Sequence, residues 1–143
     1  MDAGKPILVA SGDIESRQSL QAILLEEGLE TIAASRLTEC EEILSKDEVS
    51  LVFCDRRLGD GSYRDLLNLS KSLNSAAKVI ITSIHADWDE YMDVLKQGAF
   101  DLIAAPCRST DVLWTLSQAA RETPLRAPQK PAMALSAAAG NAV

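Results

Sequence analysis

The run Leu51-Val52-Phe53-Cys54-Asp55 carries the clearest structural signal in this chain of 143 residues. A short apolar run rich in Val and Phe is typical of a buried strand. The carboxylate of Asp55 closes the run, and a polar segment follows it directly. Because open parallel sheets bind ligands beyond the carboxyl ends of their strands, the sequence predicts a functional site at Asp55.

Four other apolar runs alternate with amphipathic segments along the chain. Together with Leu51–Cys54, the predicted strands are Ile7–Ala10, Thr31–Ala34, Val79–Ile81 and Phe100–Ala104. Their nearly continuous hydrophobicity is typical of strands that are covered on both faces. Strands that alternate with helices predict an α/β fold with a parallel sheet, right-handed crossovers and helices on both faces.

The segments between the strands have helical spacing and residues suited to helix ends. Capping residues predict the starts of the second, third and fourth helices: Thr38 with Glu41, Ser62 with Asp65, and Asp87 with Glu90. The fourth helix carries the stripe Trp88-Tyr91-Met92-Leu95, whose spacing predicts that it lies at least partly in the core. The last helix is expected from about Thr110 to Arg121, with an inward face of Leu113, Leu116 and Ala120.

Composition and charge exclude several classes of function. The net charge of -7 argues against non-specific nucleic-acid binding, which needs clustered Lys and Arg. No apolar stretch approaches the roughly 18 residues that span a membrane, and the N-terminus lacks the apolar region of a signal peptide. The cysteines, Cys40, Cys54 and Cys107, lack metal-ligand spacing and are expected to be reduced thiols. We therefore expect a cytoplasmic protein that contacts neither nucleic acid nor membrane.

The character of the chain changes near Thr123. Pro124, Pro128 and Pro131 come close together, and an Ala-rich end with few charges follows. Such a segment cannot bury enough apolar surface to offset the entropy lost on ordering. We therefore expect one domain over residues 5–121 and a Pro/Ala-rich flexible tail or linker stub over residues 122–143.

Several signals, separated along the chain but in a consistent order, resemble those of the receiver domain of bacterial two-component response regulators. Asp55 stands at the position of the phosphoacceptor aspartate, and Thr82 at that of the switch hydroxyl after the fourth strand. The turn Asp60-Gly61, the segment Gly98–Asp101 and Pro106 match further landmarks. The resemblance covers residues 5–121 and implies a flavodoxin-like, doubly wound fold with five parallel strands in the order 2-1-3-4-5.

The chain departs from this family at three positions that carry its chemistry. In the family, an acidic pair holds a magnesium ion, and a lysine neutralises charge on the transferred phosphoryl group. The acidic pair falls at Ser11 and Gly12 here, and the lysine falls at Ala105. Neither pair position offers a carboxylate, and Ala105 offers no amine. The resemblance therefore implies a receiver whose usual phosphorylation site is degenerate.

Neighbouring residues offer partial substitutes for the missing groups. Asp13 is either a distorted metal ligand or a cap of the first helix. Arg57 either pairs its guanidinium with the Asp55 carboxylate or is a solvated loop residue. Without metal and lysine, Asp55 is expected to hydrogen-bond locally, with Thr82 as a candidate partner.

These residues lead to an expectation of function. We expect a non-enzymatic, receiver-like signalling module of a two-component phosphorelay that acts through protein–protein contacts and uses no cofactor. Its partners would be a histidine kinase, another phosphorelay component or a second copy of the chain. The resemblance implies a signalling surface on the last two helices and the last strand, where Trp88 and Trp114 would be anchors.

Two alternatives stay open. One is an active receiver that takes phosphate on Asp55 from a histidine kinase and uses Mg²⁺. The other is a small-ligand-binding domain on the same scaffold, because a fold does not determine a function. No Gly-rich phosphate loop, paired acid and base, or nucleophile with a histidine supports an enzyme.

Overall fold

The apolar runs of the sequence form the strands of a central parallel sheet. The structure, a computed structural model, describes residues 5–121, and the expected tail at residues 122–143 lies outside the described residues. The strands in chain order are β1 (Ile7–Ala10), β2 (Thr31–Ala34), β3 (Leu51–Asp55), β4 (Arg57–Leu58), β5 (Gly61–Ser62), β6 (Lys78–Ser83) and β7 (Asp101–Ala104). The sheet has the order β2-β1-β3-β6-β7, while β4 and β5 pair separately. Counted within the sheet alone, this confirms the flavodoxin-like order 2-1-3-4-5.

Between residues 5 and 121, five helices cover the two faces of the sheet. They are α1 (Ile14–Glu26), α2 (Leu37–Ser45), α3 (Tyr63–Ser72), α4 (Trp88–Lys96) and α5 (Ser109–Ala120). Helices α2, α3 and α4 pack over one core cluster, which includes Cys54 and Ile81 of the sheet. Helices α1 and α5 pack over a second cluster, which includes Val9 and Phe53. No helix in this part of the chain is long and apolar enough to cross a membrane.

Two of the three predicted helix starts are confirmed. The Ser62 hydroxyl accepts a hydrogen bond from the N–H of Arg64 at 3.2 Å, and the Asp65 carboxylate accepts one from the N–H of Ser62 at 3.0 Å. At α4, the Asp87 carboxylate accepts a hydrogen bond from the N–H of Glu90 at 2.8 Å. Each side-chain oxygen thus satisfies an N–H group that the first turn of a helix leaves unpaired.

The predicted cap at Thr38 is wrong, because a residue from another loop caps α2. The carboxylate of Asp60 accepts hydrogen bonds from the N–H groups of Leu37 and Thr38. These bonds, led by the one from Leu37, lower the pKa of the Asp60 carboxyl. The start of α2 therefore combines a contact between segments 22 residues apart in sequence with a local one, in which the Glu39 carboxylate accepts a hydrogen bond of 3.2 Å from the N–H of Arg36.

The inward face of α5 also differs from the prediction. Its buried residues are Val112, Thr115, Leu116 and Ala119, whereas Leu113 and Ala120 are exposed. Thr115 is buried because its hydroxyl donates a hydrogen bond of 2.9 Å to the carboxylate of Asp101, itself buried on β7. The buried face of α5 is therefore rotated by about one residue from the face that hydrophobicity predicts, and it includes a polar residue paired in the interior.

The stripe on α4 divides between core and surface. Tyr91 is buried, Leu95 is half-buried, and Trp88 and Met92 are exposed. The prediction that the stripe lies partly in the core is therefore confirmed.

Adjacent leucines on α1 provide a matched test of the core. Leu24 is fully buried, whereas Leu25 is 72% exposed. We expect Leu24→Ala to lower the free energy of unfolding by about 2–5 kcal/mol, because it leaves a cavity. Leu25→Ala, which carries the same change in helix propensity, should stay within about 0.5 kcal/mol of the unchanged chain. Urea denaturation of residues 5–121 measures both, and equal losses would contradict the assignment of α1's buried face.

Candidate functional site

Strand alternation places a row of side chains at the carboxyl end of the sheet. Residues two positions apart on a strand point to the same face. The core cluster beneath α1 and α5 contains residues from four neighbouring strands, and those nearest the carboxyl ends are Val9, Phe53, Ile80 and Ile103. Two positions later, the same face continues with Ser11, Asp55, Thr82 and Ala105. Side chains that are far apart in sequence thus meet at the predicted edge.

These four residues line an open cleft of about 280 Å³. Apolar side chains, among them Leu20, Phe53 and Pro106, form part of its wall. The carboxylates of Asp13, Glu15 and Asp55 also line it. The cleft therefore combines an apolar wall with negatively charged groups.

Ser11, rather than Thr82, is the hydrogen-bond partner of Asp55. The Ser11 hydroxyl donates to one carboxylate oxygen at 3.0 Å, and the backbone N–H of Arg56 donates to the other at 2.8 Å. Thr82 lies opposite Asp55 in the register of β3 and β6, but its hydroxyl makes no hydrogen bond within residues 5–121. The expectation that Thr82 bonds Asp55 is corrected accordingly.

Gly12 lies directly under the loop that follows β3. Its N–H donates a hydrogen bond of 2.9 Å to the carbonyl of Arg57. A Cβ atom at this position would lie 3.3 Å from the Arg57 oxygen and 3.3 Å from the carbonyl carbon of Leu58. Any side chain at Gly12 would therefore press on the backbone of that loop.

Asp13 is the cap of α1. Its carboxylate accepts hydrogen bonds from the N–H of Ser16 at 3.0 Å and from the Ser16 hydroxyl at 2.8 Å. The hydroxyl bond, together with the N–H bond, lowers the pKa of the Asp13 carboxyl. Residues 5–121 contain no group of three or more His, Cys, Asp or Glu side chains placed to hold a metal ion. The capping interpretation of Asp13 is the one that this geometry supports.

Ala105 lies at the end of the cleft, where the sequence comparison with the family placed a missing lysine. Its N–H donates a hydrogen bond of 2.9 Å to the carbonyl of Ser83, which extends the pairing of β6 and β7. The peptide bond between Ala105 and Pro106 is cis. The methyl group of Ala105 leaves space in the cleft that a longer side chain would occupy.

The ion pair considered between Arg57 and Asp55 does not form, whereas Arg56, for which no role was expected, pairs with a different carboxylate. Arg57 is exposed, and within the described chain it forms no ion pair with Asp55. The Arg56 guanidinium lies 2.8 Å from a carboxylate oxygen of Glu90 on α4. The other Glu90 oxygen accepts a hydrogen bond of 2.7 Å from the Ser83 hydroxyl. We refer to this arrangement as the Arg56–Glu90–Ser83 network.

The alternation of side chains along the strands is the sequence feature from which this network could have been predicted. Asp55 and Thr82 face the cleft, so Arg56 and Ser83, each one residue later, face the opposite side of the sheet, where α4 packs. The Ser83 oxygen also accepts a hydrogen bond of 3.0 Å from the N–H of His85. The network therefore holds the loop after β3, the loop after β6 and the first turn of α4 together.

The cysteines are neutral thiols. Burial raises the pKa of Cys40 to about 12, and it raises the pKa of Cys54 well above the usual range. Cys107 lines the cleft, and burial, followed by the nearby Asp55 charge, raises its pKa to about 11. Because the thiolate is the reactive form of cysteine, this site does not present a thiol nucleophile near neutral pH.

The two tryptophans are exposed on the helices that flank β7. Trp88 on α4 is 46% exposed, and Trp114 on α5 is 51% exposed. Met92 and Leu113, on the same two helices, are also exposed large apolar side chains. Helices α4 and α5 thus expose four large apolar side chains, and exposed apolar side chains that lie together are typical of an interaction surface.

Comparison with known proteins places the chain among signalling proteins. The model of the response regulator receiver domain matches residues 7–117. The response regulator protein PilR of Pseudomonas aeruginosa is 28% identical over 99 residues, which are 69% of this chain and 22% of PilR. The putative response regulator NtrX-like of Rickettsia bellii is 29% identical over 123 residues, 84% of this chain and 26% of that protein. The chain thus spans about a quarter of the length of these relatives.

Solved structures have the same fold. The beryllofluoride-activated NtrC4 receiver domain dimer is 27% identical with a TM-score of 0.73, and the match covers 82% of this chain and 97% of that one. The receiver domain of NtrX from Brucella abortus is 25% identical with a TM-score of 0.72, over 82% of this chain and 99% of that one.

The Arg56–Glu90–Ser83 network can be tested by Glu90→Gln, which keeps the size of the side chain and removes its charge. We expect the free energy of unfolding to fall by about 1 kcal/mol, since a charge-assisted bond between partly exposed groups is lost. Amide hydrogen exchange at residues 83–85 should accelerate. Glu42→Gln, which breaks the exposed pair with Lys46 on α2, is the matched control and should change neither measurement. Unchanged exchange at residues 83–85 in Glu90→Gln would count against the network.

Proposed function

Because the chain belongs to the response regulator receiver domain family, we propose that it is a degenerate receiver that signals through protein–protein contacts, without ordinary Mg²⁺-dependent phosphorylation of Asp55. Its place is a two-component phosphorelay, and it acts as a docking or dimerisation module held in one state. We expect it to be cytoplasmic and not an enzyme. The proposal covers the receiver-like domain, and the output of a whole protein lies outside it.

The observation that carries the proposal is the set of donors around Asp55. Magnesium prefers hard oxygen ligands and near-octahedral geometry. Asp55 is accompanied by a serine hydroxyl at Ser11 and by no side chain at Gly12, so the residues present are a poor fit for Mg²⁺. The Ser11 hydroxyl already donates to the Asp55 carboxylate, which stabilises that carboxylate without a cation.

The Arg56–Glu90–Ser83 network supports the idea of a single state. The network joins Arg56, which follows Asp55, and Ser83, which follows Thr82, to Glu90 on α4. Glu90 is the shared partner, and its side chain is only 12% exposed. A change of position at α4 would therefore have to break a partly exposed ion pair and a hydrogen bond together.

The surface of α4, β7 and α5 is the proposed site of contact with a partner. Trp88 and Trp114 supply exposed aromatic side chains there, and aromatic residues are enriched at binding hot spots. A related receiver domain, that of NtrC4, is described as a dimer. We propose a second copy of this chain as one partner, and a histidine kinase or another phosphorelay component as the other.

An active receiver is the second candidate, and one observation favours it. Asp55 and Thr82 lie opposite each other in the register of β3 and β6, with Asp55 half-buried at the cleft. In this alternative, Asp55 takes phosphate from a histidine kinase, and Mg²⁺ is bound with an altered ligand set.

Phosphorylation with a small-molecule donor separates the two candidates. We expect the chain to bind Mg²⁺ very weakly and to take up little phosphate from acetyl phosphate, because one carboxylate is a poor magnesium site. Phosphoprotein mass spectrometry with and without Mg²⁺ measures the uptake. Stoichiometric, Mg²⁺-dependent phosphorylation of Asp55 would promote the active receiver.

A triple variant, Ser11→Asp, Gly12→Asp and Ala105→Lys, tests whether only the site has changed. Three carboxylates repel each other, and metal with lysine offsets that repulsion, so we expect added Mg²⁺ to raise the melting temperature. We also expect phosphate uptake on Asp55, after the loop above Gly12 has moved to admit a side chain. The same variant with Asp55→Asn is the control. A triple variant that binds no Mg²⁺ would contradict the placement of Ser11 and Gly12 at the metal position.

Trp114→Ala tests the contact surface. We expect it to weaken self-association by about tenfold or more, as truncation of a hot-spot tryptophan does, and to leave the folded state intact. Sedimentation equilibrium measures the dissociation constant, and urea denaturation measures stability. Leu25→Ala removes a comparably exposed side chain from α1 and should not affect association. A chain that stays monomeric at millimolar concentration would rule out the dimer.

A further inference from the structure

The cleft at Asp55 is lined by acidic residues. Asp13, Glu15 and Asp55 line it, and no Lys or Arg of the described chain does. The Arg56 guanidinium is bound to Glu90, and the Arg17 guanidinium donates a hydrogen bond of 2.7 Å to the carbonyl of Ser11. No described residue of the lining carries a positive charge, so the lining itself favours a cation over an anion, and the exposed Arg57 of the loop after β3 is not part of it.

Thr82 points to a ligand independently of these charges. It is only 6% exposed, it lines the cleft, and its hydroxyl makes no hydrogen bond within residues 5–121. Buried hydroxyls in folded proteins nearly always have a partner, because an unpaired one loses the hydrogen bonds that water gave it. The Thr82 oxygen can accept a hydrogen bond from a donor placed in the cleft.

Asp55 has acceptor capacity for the same donor. An ionised carboxylate accepts about four hydrogen bonds, and the protein supplies two, from Ser11 and from the Arg56 N–H. Asp55 and Thr82 lie opposite each other on neighbouring strands, so a single donor group can reach both. The group must offer several hydrogens, which excludes an alcohol or an ether as the best match.

The apolar wall indicates what the rest of the ligand is. Ile84, Ala105 and Pro106 line the cleft with accessible apolar side chains and would contact hydrocarbon rather than water. A volume of about 280 Å³ is at the small end for ligand sites, which suits a ligand of few heavy atoms. Residues 5–121 contain no group of three or more His, Cys, Asp or Glu side chains placed to hold a metal ion, which favours an organic cation over a metal ion here.

From these observations we infer that the cleft binds a small primary alkylammonium ion, whose N–H groups donate to the Asp55 carboxylate and the Thr82 hydroxyl while its alkyl chain contacts Ile84 and Pro106. This goes beyond the proposed function, because it gives the degenerate site a chemical input of its own. It is independent of the contact surface on α4 and α5, so either proposal can fail while the other stands.

An NMR titration of the ¹⁵N-labelled full chain with n-butylammonium chloride tests this inference, with NaCl adjusted to hold ionic strength constant. We expect saturable shifts at the amides of residues 55–56, 82–83 and 105. n-Butanol, which has the same chain without the charge, should bind at least tenfold more weakly, and sodium butyrate should not bind. Equal affinities for n-butylammonium and n-butanol would overturn the inference.

Variants assign the contacts. Asp55→Asn should weaken n-butylammonium binding about tenfold, and Thr82→Val, which keeps the shape of threonine, about threefold. Glu42→Gln is the matched control for general attraction by a chain of net charge -7 and should change nothing. Ala105→Lys places an amine in the cleft from the chain itself and should abolish binding. An unchanged affinity in Asp55→Asn, or an equal loss in Glu42→Gln, would overturn the assignment to this cleft.

Nα-acetyl-lysine methylamide distinguishes a free amine from a lysine side chain. Weaker binding than n-butylammonium supports a free alkylamine as the ligand. Equal or tighter binding overturns the free amine and assigns the same chemistry to a lysine of a partner protein.

Discussion

The alternation of side chains along parallel strands is the constraint on which the rest of the structure depends. Each strand sends one residue to the layer of α1 and α5 and the next to the layer of α2, α3 and α4. At the carboxyl ends, where the core stops, the alternation continues with polar residues. Asp55 and Thr82 therefore face the cleft, and Arg56 and Ser83 face α4.

Most of the fold could be predicted from the sequence, because the apolar runs are local signals. Val9 and Phe53 lie in strands that were visible as continuous hydrophobic stretches, and the sheet order followed from the resemblance. The start of α2 could not be predicted, since the carboxylate that caps it comes from Asp60 in a distant loop. The buried face of α5 was misplaced for a similar reason: Thr115 is polar, and only its bond to Asp101 makes it a core residue.

The site was predictable in its position and less so in its contacts. Asp55 was found from the end of a strand, but its partner, Ser11, directly follows a neighbouring strand and is 44 residues away in sequence. Arg57 was considered as a partner of Asp55, but the sequence does not say which way a bend in the chain turns each arginine, and Arg56 turns toward α4 instead. The partner of a charged side chain depends on such local turns. A buried apolar side chain contacts many residues at once, so its burial is less sensitive to any single turn. The sequence shows which residue types stand at Ser11, Gly12 and Ala105. It does not show which hydrogen bonds those residues make.

The close contact at Gly12 limits how this family member can change in evolution. Its N–H is bonded to the carbonyl of Arg57, and a Cβ atom there would lie 3.3 Å from that oxygen. A single codon change that placed an acid at Gly12 would add a carboxylate and press its Cβ atom on the loop backbone in one step. If no other group of a metal site were present, the loop would have to give by a few tenths of an ångström without the gain of a bound ion. The order in which neighbouring residues change would therefore matter at this edge of the sheet.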